Sequence, residues 1–383
     1  MEYLFPALLV IHFILLINIW LNRISLHSQT RSQSQTRSQL QLQSRSDLIP
    51  ENPVEYTADP ETRRDPIISI LVPARNEAAI ISRLIRSFRE QSYKSSELIL
   101  YDDESDDATW EILEAASNTD DAIRAIKGGR LPEGWVGKVH ALHCLAKEAH
   151  GDVFLFMDAD TEFLHRDSLL RLADLFCTRK PDTVITGIPE IRGGGLLIVS
   201  MVGHFILTLI PWWLGHKNPF STFAGVNGQC WMIEAGVYQN LMPHEAVRNQ
   251  VLEDVMIGRY LHANGVTPVL VDLQNEVTVH MYSNIREAWS GFRKNASVML
   301  GKSSVTALGA WLVYVLLYVA APVLFPVLIL TLIGLKLSTD RAIGQPLWTS
   351  LLVPVSILLI TFLALDSIIA RSRNRLVWKG RPI

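Results

Sequence analysis

An apolar run, Val153 to Met157, ends by delivering two aspartates one residue apart, Asp158 and Asp160, inside DVFLFMDADTEF (152–163). A second acidic doublet, Asp102–Asp103, closes ELILYDD (97–103) and opens YDDESDD (101–107), and a third polar cluster, VPARNEA (72–78), follows IISILVPA (67–74). Taken singly, each cluster suits a helix start: Asn76 and Ser105 can cap, and acids near a helix N-terminus suit its dipole. Capping alone does not call for carboxylate doublets behind apolar strands. Carboxylates crowded at one edge repel each other unless a cation sits among them. Oxygen ligands without His or Cys favour Mg²⁺ or Mn²⁺, ions that typically bridge a phosphate-bearing substrate. The chemistry implied is a metal site holding a diphosphate.

The elements around these clusters have a simple rhythm. From Asp65 onward short β-rich runs alternate with helical ones: IISILVPA, then a helix near 77–90; ELILYDD, then 108–117; AIRAIKG (122–128), then 139–149; the quoted strand, then 167–177. Strict alternation predicts an α/β fold with a parallel sheet, which binds ligands at the carboxyl ends of its strands. All three polar clusters fall at such ends.

The 383 residues carry a net charge of −3, which excludes a dedicated nucleic-acid binder with its basic stripe. The three cysteines, Cys144, Cys177 and Cys230, make neither a disulfide framework nor a zinc pattern. Apolar stretches at Tyr3–Leu21, about 307–335 and about 347–370 predict three membrane spans. The first reads as an anchor rather than a cleaved signal, since no basic residue precedes it and no small-residue cleavage site follows. Arg23, Arg31, Arg37 and Arg45 follow the first span and Arg371, Arg373, Arg375, Lys379 and Arg381 the last, against Lys336 and Arg341 in the intervening link. The positive-inside rule then puts the large middle portion in the cytosol of a plasma-membrane protein. A fourth apolar segment, 195–214, would split that portion if it spanned; it reads as interfacial, with Trp212 and Trp213 at headgroup level, or else as a core helix. The layout is an anchor over 1–22, a flexible Ser/Gln/Arg linker over 23–64, a cytosolic domain over 65–305, two membrane helices within 306–371 and a basic tail over 372–383.

VPARNEA, YDDESDD, GWVGKVHAL (134–142), MDAD, NGQCWMI (227–233) and LEDVMIGRYLHANG (252–265), in that order, resemble the family-2 inverting glycosyltransferases. LPEGWVGK (131–138), GFRKNASVMLG (291–301) and the ending VWKGRPI resemble members that glycosylate hopanoid or carotenoid-type lipids. The resemblance implies a GT-A fold, a nucleotide-sugar donor (UDP in most of the family), Mg²⁺ or Mn²⁺, and a lipid acceptor. By position, Pro73, Arg75, Asn76 and Glu77 would line the nucleotide pocket, and Asp102 and Asp103 would contact uracil and ribose. Lys138 would face the diphosphate, Asp158 and Asp160 would form the D-x-D element with Asp160 the direct metal ligand, and Gly225, Asn227 and Gly228 would form the acceptor-side loop. Trp212 and Trp213 would wall the acceptor's approach, and Glu253–Asp254 would be the E-D pair whose aspartate is the base.

The Q-x-x-R-W motif of polymerising members is absent; its counterpart is REAWSGFRKNA (286–296), where Arg293 or Lys294 would meet the leaving diphosphate. Single-sugar transfer is therefore expected. The rivals are a polyprenyl-phosphate glycosyltransferase, which needs no strong base, and a non-catalytic membrane partner that binds a nucleotide sugar. His140, His143, His204 and His280 lack ligand spacing and read as ordinary histidines, and Gly193–Gly195 reads as a hinge.

Overall fold

The computed structural model describes residues 4–43, 65–180, 182–218, 220–301, 303–378 and 381–382, so residues 44–64 of the linker expected at 23–64 lie outside the described residues. Eight strands build the central sheet: β1 (Ile68–Ala74), β2 (Ser96–Asp102), β3 (Ile123–Lys127), β4 (Val153–Met157), β5 (Thr161–Phe163), β6 (Thr183–Arg192), β7 (Cys230–Glu234) and β8 (Thr267–His280). Their order is β3-β2-β1-β4-β7-β6-β8-β5. β3, β2, β1 and β4 are parallel, and β7 runs against both β4 and β6. This is the mixed sheet of the GT-A fold. β4 is buried along its whole length, as a strand covered on both faces must be.

Side chains alternate across this sheet. Ile70, Leu98 and Leu155 pack on one face with α2 (Ile81–Arg89), α3 (Thr109–Ser117) and α5 (Ser168–Cys177). Leu71, Ile99, Phe154 and Phe156 pack on the other with α4 (Gly137–Glu148) and α9 (Glu253–Ala263). Short helices α7 (Ala235–Leu241) and α8 (Pro243–Ala246) join β7 to α9. Ala74 pairs with Asp102, and β4 lies on the far side of β1, so the three polar clusters emerge along one edge.

The membrane part differs from expectation in three ways. First, α1 (Leu4–Gln43) does not stop at residue 22 but stays helical through the Gln- and Arg-containing stretch; extending a formed helix avoids the nucleation cost. Second, the single span expected at 307–335 is two helices. α11 (Ser304–Val315), a π turn (Leu316–Ala320) and α12 (Ala321–Leu324) form one arm, and α13 (Val327–Ala342) returns after Phe325 leaves helical geometry. Pro322 and Pro326, which cannot donate to the preceding turn, account for the bulge and the break. α13 runs parallel to α1: Phe5 meets Phe325 at 5.2 Å between ring centroids, His12 Nδ1 lies 2.6 Å from Thr331 Oγ1, and Leu26 clusters with Ile343. Third, among the described residues four helices rather than three are long and apolar enough to cross a membrane by length and composition: Leu4–Leu26, Leu196–Gly215, Ser304–Leu324 and Val353–Ser372.

The additional one contains α6 (Leu196–Leu209), which lies back along β6. Ile198 and Val199 cluster with Ile191 and Ala288, and Leu207 with Ile188 and Leu270. The Gly193–Gly195 hinge makes this reversal: Gly193 and Gly195 have φ of 129° and 68°, and any Cβ there would strike Tyr282 O or the Ala288 side chain. The other face of α6 meets α13, α14 (Trp348–Leu351) and α15 (Val353–Ser372). Here Lys336, fully buried, bonds Ser200 Oγ at 3.0 Å and pairs with Asp340, which accepts from Thr349 and Ser350 at 2.7 and 2.6 Å. His204 Nδ1 lies 3.0 Å from Thr339 Oγ1. Removing one member of such a pair strands the other charge, so Lys336→Met is expected to cost about 3–5 kcal/mol, with much of it regained in Lys336→Met/Asp340→Leu. Thermal unfolding in detergent, followed by tryptophan fluorescence, measures both.

Candidate active site

The loops after β1 and β2 are knitted together by the residues assigned to the nucleotide pocket. Arg75 donates to Asp103 O and to Glu104 O, the latter at 2.9 Å. Asn76, at φ 53°, donates its backbone amide to Ser105 Oγ (3.0 Å), and its Oδ1 accepts from the Asp106 amide at 2.8 Å. The Glu77 amide donates to Thr109 Oγ1 at 2.8 Å. Pro73 sits within β1 opposite Tyr101. Asp102 and Asp103 are buried, and Asp102 Oδ1 has no hydrogen-bond partner among the described residues, a costly state that a ligand donor would relieve. Gly128 closes this pocket: its amide donates to Asp102 O at 2.8 Å, and a Cβ there would lie 2.5 Å from that oxygen.

Lys138, in the first turn of α4, is the hub of the second half. Its Nζ lies 2.7 Å from Asp158 Oδ1 and 3.1 Å from Glu253 Oε1. Burial opposes its charge, but Asp158 and Glu253 outweigh that and hold the ammonium well above its ordinary range. Asp254 opens α9 beside it, and a Cβ on Gly228 would fall 3.5 Å from both Asp254 Oδ2 and Lys138 Nζ. Glycine at 228 thus leaves room directly between base candidate and cation. Burial, then the charge of Glu253, pushes Asp254 up to about 6, with Lys138 working the other way. Burial, then Asp158 and Glu77, pushes Asp160 up to about 7.

Asp158 is engaged by Lys138, whereas Asp160 Oδ1 is buried with no hydrogen-bond partner among the described residues. That oxygen fits a hard divalent cation. No group of three or more His, Cys, Asp and Glu side chains is preassembled for a metal among the described residues. A cation here would draw its remaining ligands from substrate oxygens and water, as Mg²⁺-type sites do.

On the acceptor side, the Asn227 amide donates to Thr186 Oγ1 (2.6 Å) and its Nδ2 to Gly187 O (2.8 Å), fixing the loop on β6. Gly258 lets α9 approach the Gly225 backbone, where a Cβ on Gly258 would come within 2.3 Å, and Val226 N donates to Asp254 O. The pair Arg293/Lys294 divides cleanly on α10 (Ile285–Leu300). Arg293 bonds Asp366 of α15 at 2.9–3.0 Å, while Lys294 sits in the field of Glu253, Lys138, Asp158 and Asp254. Burial pulls Lys294 down to about 8, with Glu253 resisting.

The remaining singled-out residues sit as follows. Trp212 donates its indole N–H to Ile206 O and packs on Leu26 and Leu207, while Trp213 donates to Asn18 of α1 at 3.0 Å. Both therefore stand at the junction with the first membrane helix. His280 has an acid partner after all: Nε2 lies 2.7 Å from Glu162 Oε1, and its amide donates to Asp160 O at 2.8 Å. The sequence spacing hid this because β5 and β8 meet only across the sheet edge. Tyr282 was also missed; burial, then Asp160 and Asp158, pushes its phenol to about 12.

Comparison with known proteins gives this geometry a context. The family description "Glycosyl transferase family 2" matches residues 69–241. The 4,4'-diaponeurosporenoate glycosyltransferase of Staphylococcus haemolyticus is 24% identical over 240 residues, 60% of this chain and 61% of its own. A beta-monoglucosyldiacylglycerol synthase of Trichormus variabilis is 31% identical over 121 residues, 31% of this chain and 25% of its own. An Escherichia coli UDP-Glc:alpha-D-GlcNAc-diphosphoundecaprenol beta-1,3-glucosyltransferase is 30% identical over 145 residues, 34% of this chain and 55% of its own. The chain thus spans less than two thirds of the length of each of these relatives. Among solved structures, a mannosyltransferase from Pyrobaculum calidifontis in complex with GDP-Man and Mn²⁺ aligns over 96% of this chain and all of its own, at 17% identity and a TM-score of 0.49.

Proposed function

Because the chain belongs to glycosyl transferase family 2 through residues 69–241, we propose that it moves one sugar, with inversion, from a nucleotide-diphosphate sugar to a membrane lipid, using Asp254 as base. The observation that carries this reading is the half-buried cluster of Lys138, Asp158, Glu253 and Asp254 around the opening left by Gly228. Inversion needs a carboxylate to take the acceptor proton while the acceptor oxygen attacks opposite the leaving diphosphate. Asp254 is raised enough to accept a proton and still ionised at neutral pH. Asp102 and Asp103 suit the donor's base and ribose, and the UDP form is the family's usual one. When bound at Asp160, a divalent cation supplies positive charge for the departing diphosphate. Lys138 and Lys294 add to that charge from the protein side.

The names of the relatives place their acceptors among lipids, diaponeurosporenoate, diacylglycerol and diphosphoundecaprenol, and the membrane helices here suit an acceptor dissolved in the bilayer. The basic residues flanking the apolar stretches favour a plasma-membrane protein with the site in the cytosol. The protein in nanodiscs, given a UDP-sugar, Mn²⁺ and total lipid from its host, is expected to produce a lipid one hexose heavier by mass spectrometry. Nucleoside diphosphate release with no glycosylated lipid, or a product on a polyprenyl phosphate, would overturn the reading.

The two basic residues of α10 separate in the same assay. Lys294→Met is expected to lower kcat about 10²-fold by removing charge from the leaving group. Arg293→Met, which breaks the tie to Asp366, should chiefly lower the unfolding temperature; steady-state kinetics and a thermal melt distinguish the two.

A further inference from the structure

The stretch after α6 joins the membrane helices to the acceptor-side loop. Asn18 and Asn22 of α1 donate their side-chain amides to the end carbonyls of α6: Asn22 to Leu207 O and Ile210 O at 2.8 Å each, Asn18 to Thr208 O at 2.9 Å. Their oxygens receive Trp213, from its amide (3.1 Å, to Asn22) and its indole (3.0 Å, to Asn18). Asn18 lies eight residues inside the apolar stretch that ends at Leu26. At a rise of about 1.5 Å per residue, Trp213 therefore reaches from about 6 Å below that end, where its amide meets Asn22, to about 12 Å, where its indole meets Asn18. From there the chain turns at Gly215 (φ 46°) and reaches a 3₁₀ turn, Ser221–Phe223.

This loop is apolar where a water-facing loop would be polar. Leu209, Trp213, Phe220 and Phe223 are 54%, 43%, 60% and 40% exposed, and the two phenylalanine rings stand edge-to-face at 6.3 Å. Ile17, Trp20 and Ile24 of α1, the helix that holds this loop, are exposed as well. No Asp or Glu occurs from Ile191 through Ile233, and Lys217 is exposed at the tip. Aromatic rings with a nearby lysine and no acid match the headgroup–acyl boundary of an anionic leaflet. Phe223 shares a small groove with Trp212, His262 and Pro268, and it lies two residues before Gly225.

We propose that residues 213–218 and 220–223 form a wedge inserted in the bilayer, with Phe220 and Phe223 at the headgroup–acyl boundary, and that the acceptor leaves the leaflet along this wedge to reach Asp254. The occupant of the exposed aromatic face is lipid. The second clause rests on the transferase reading; the first does not.

Two measurements on the full chain in phosphatidylglycerol-containing nanodiscs test it. A nitrobenzoxadiazole probe on Phe220→Cys, corrected by identically labelled parent protein, should be quenched severalfold more by lipids spin-labelled at acyl carbon 5 than by aqueous iodide. Stronger quenching by iodide, or shielding from both quenchers as a second protein copy would give, overturns the insertion. In the same discs Phe220→Asp/Phe223→Asp should reduce lipid glycosylation about tenfold or more, as loss of two interfacial anchors predicts. Its affinity for the nucleotide sugar should stay unchanged. An inserted probe combined with undiminished transfer overturns the acceptor route, whereas failure of transfer in the parent protein touches only the proposed function.

Discussion

Replacing Asp254 by asparagine lowers sugar transfer about 10³-fold or more while leaving nucleotide-sugar affinity within a small factor, the range expected for loss of a general base. Asparagine keeps the shape of the side chain and can still accept from the Val255 amide, which donates to Asp254 Oδ1 at 2.7 Å. The fold of the loop therefore survives, and only proton acceptance is lost. A pH profile gives the independent readout. Burial and Glu253 raise Asp254 to about 6, so kcat/KM of the parent should climb with pH through that value, as the carboxylate ionises, and level off above it. The residual activity of Asp254→Asn should lack that limb. Loss of donor binding in equal measure would show that Asp254 holds the nucleotide sugar rather than the acceptor proton.

Asp160→Asn is expected to abolish activity as well, through the cation. Asp160 is raised from 3.8 to about 7, first by burial and then by Asp158 and Glu77. The folded protein without metal thus holds a proton there more tightly than the unfolded chain does. Its stability should consequently fall as pH rises from about 4 to about 7 and stay reduced above that. A divalent cation replaces the proton, so Mn²⁺ should raise the melting temperature more at pH 8 than at pH 5. Asp160→Asn should melt higher than the parent at pH 8 without metal, and Mn²⁺ should no longer move it. Thermal melts at two pH values, with and without Mn²⁺, measure every part of this. An unchanged Mn²⁺ response in the variant would move the metal elsewhere.

Much of the catalytic half was legible because its signals are local. Val153–Met157 is buried along its length, as a strand covered on both faces must be, and its carboxyl end falls where Asp158 and Asp160 are needed. Short βα units put each motif at a predictable strand end, so Lys138, Asp158 and Glu253 meet as their order implied. What escaped depends on contacts between distant segments. Hydropathy alone made one long span of 307–335; only the missing N–H groups of Pro322 and Pro326 make it an arm and a return. Asn18 looked like an interruption of an apolar run, yet it and Asn22 satisfy the carbonyls that end α6, whose place beside α1 no periodicity reveals. The anchoring of Trp213 was hidden for the same reason: its partners, Asn18 and Asn22, lie some 190 positions earlier in the chain. The division of labour between Arg293 and Lys294 likewise turns on Asp366, contributed by the final helix.

The clamping of α6 from beneath, by Asn18 and Asn22 on one helix and by Lys336 on another, has a metric consequence. Under the proposed function, this tie would hold the opening beside Gly228 at a fixed height over the hydrocarbon, like a gauge. A lipid acceptor would then be selected by how far its reactive end stands clear of the fatty layer, and lengthening or saturating its buried tail should change turnover little.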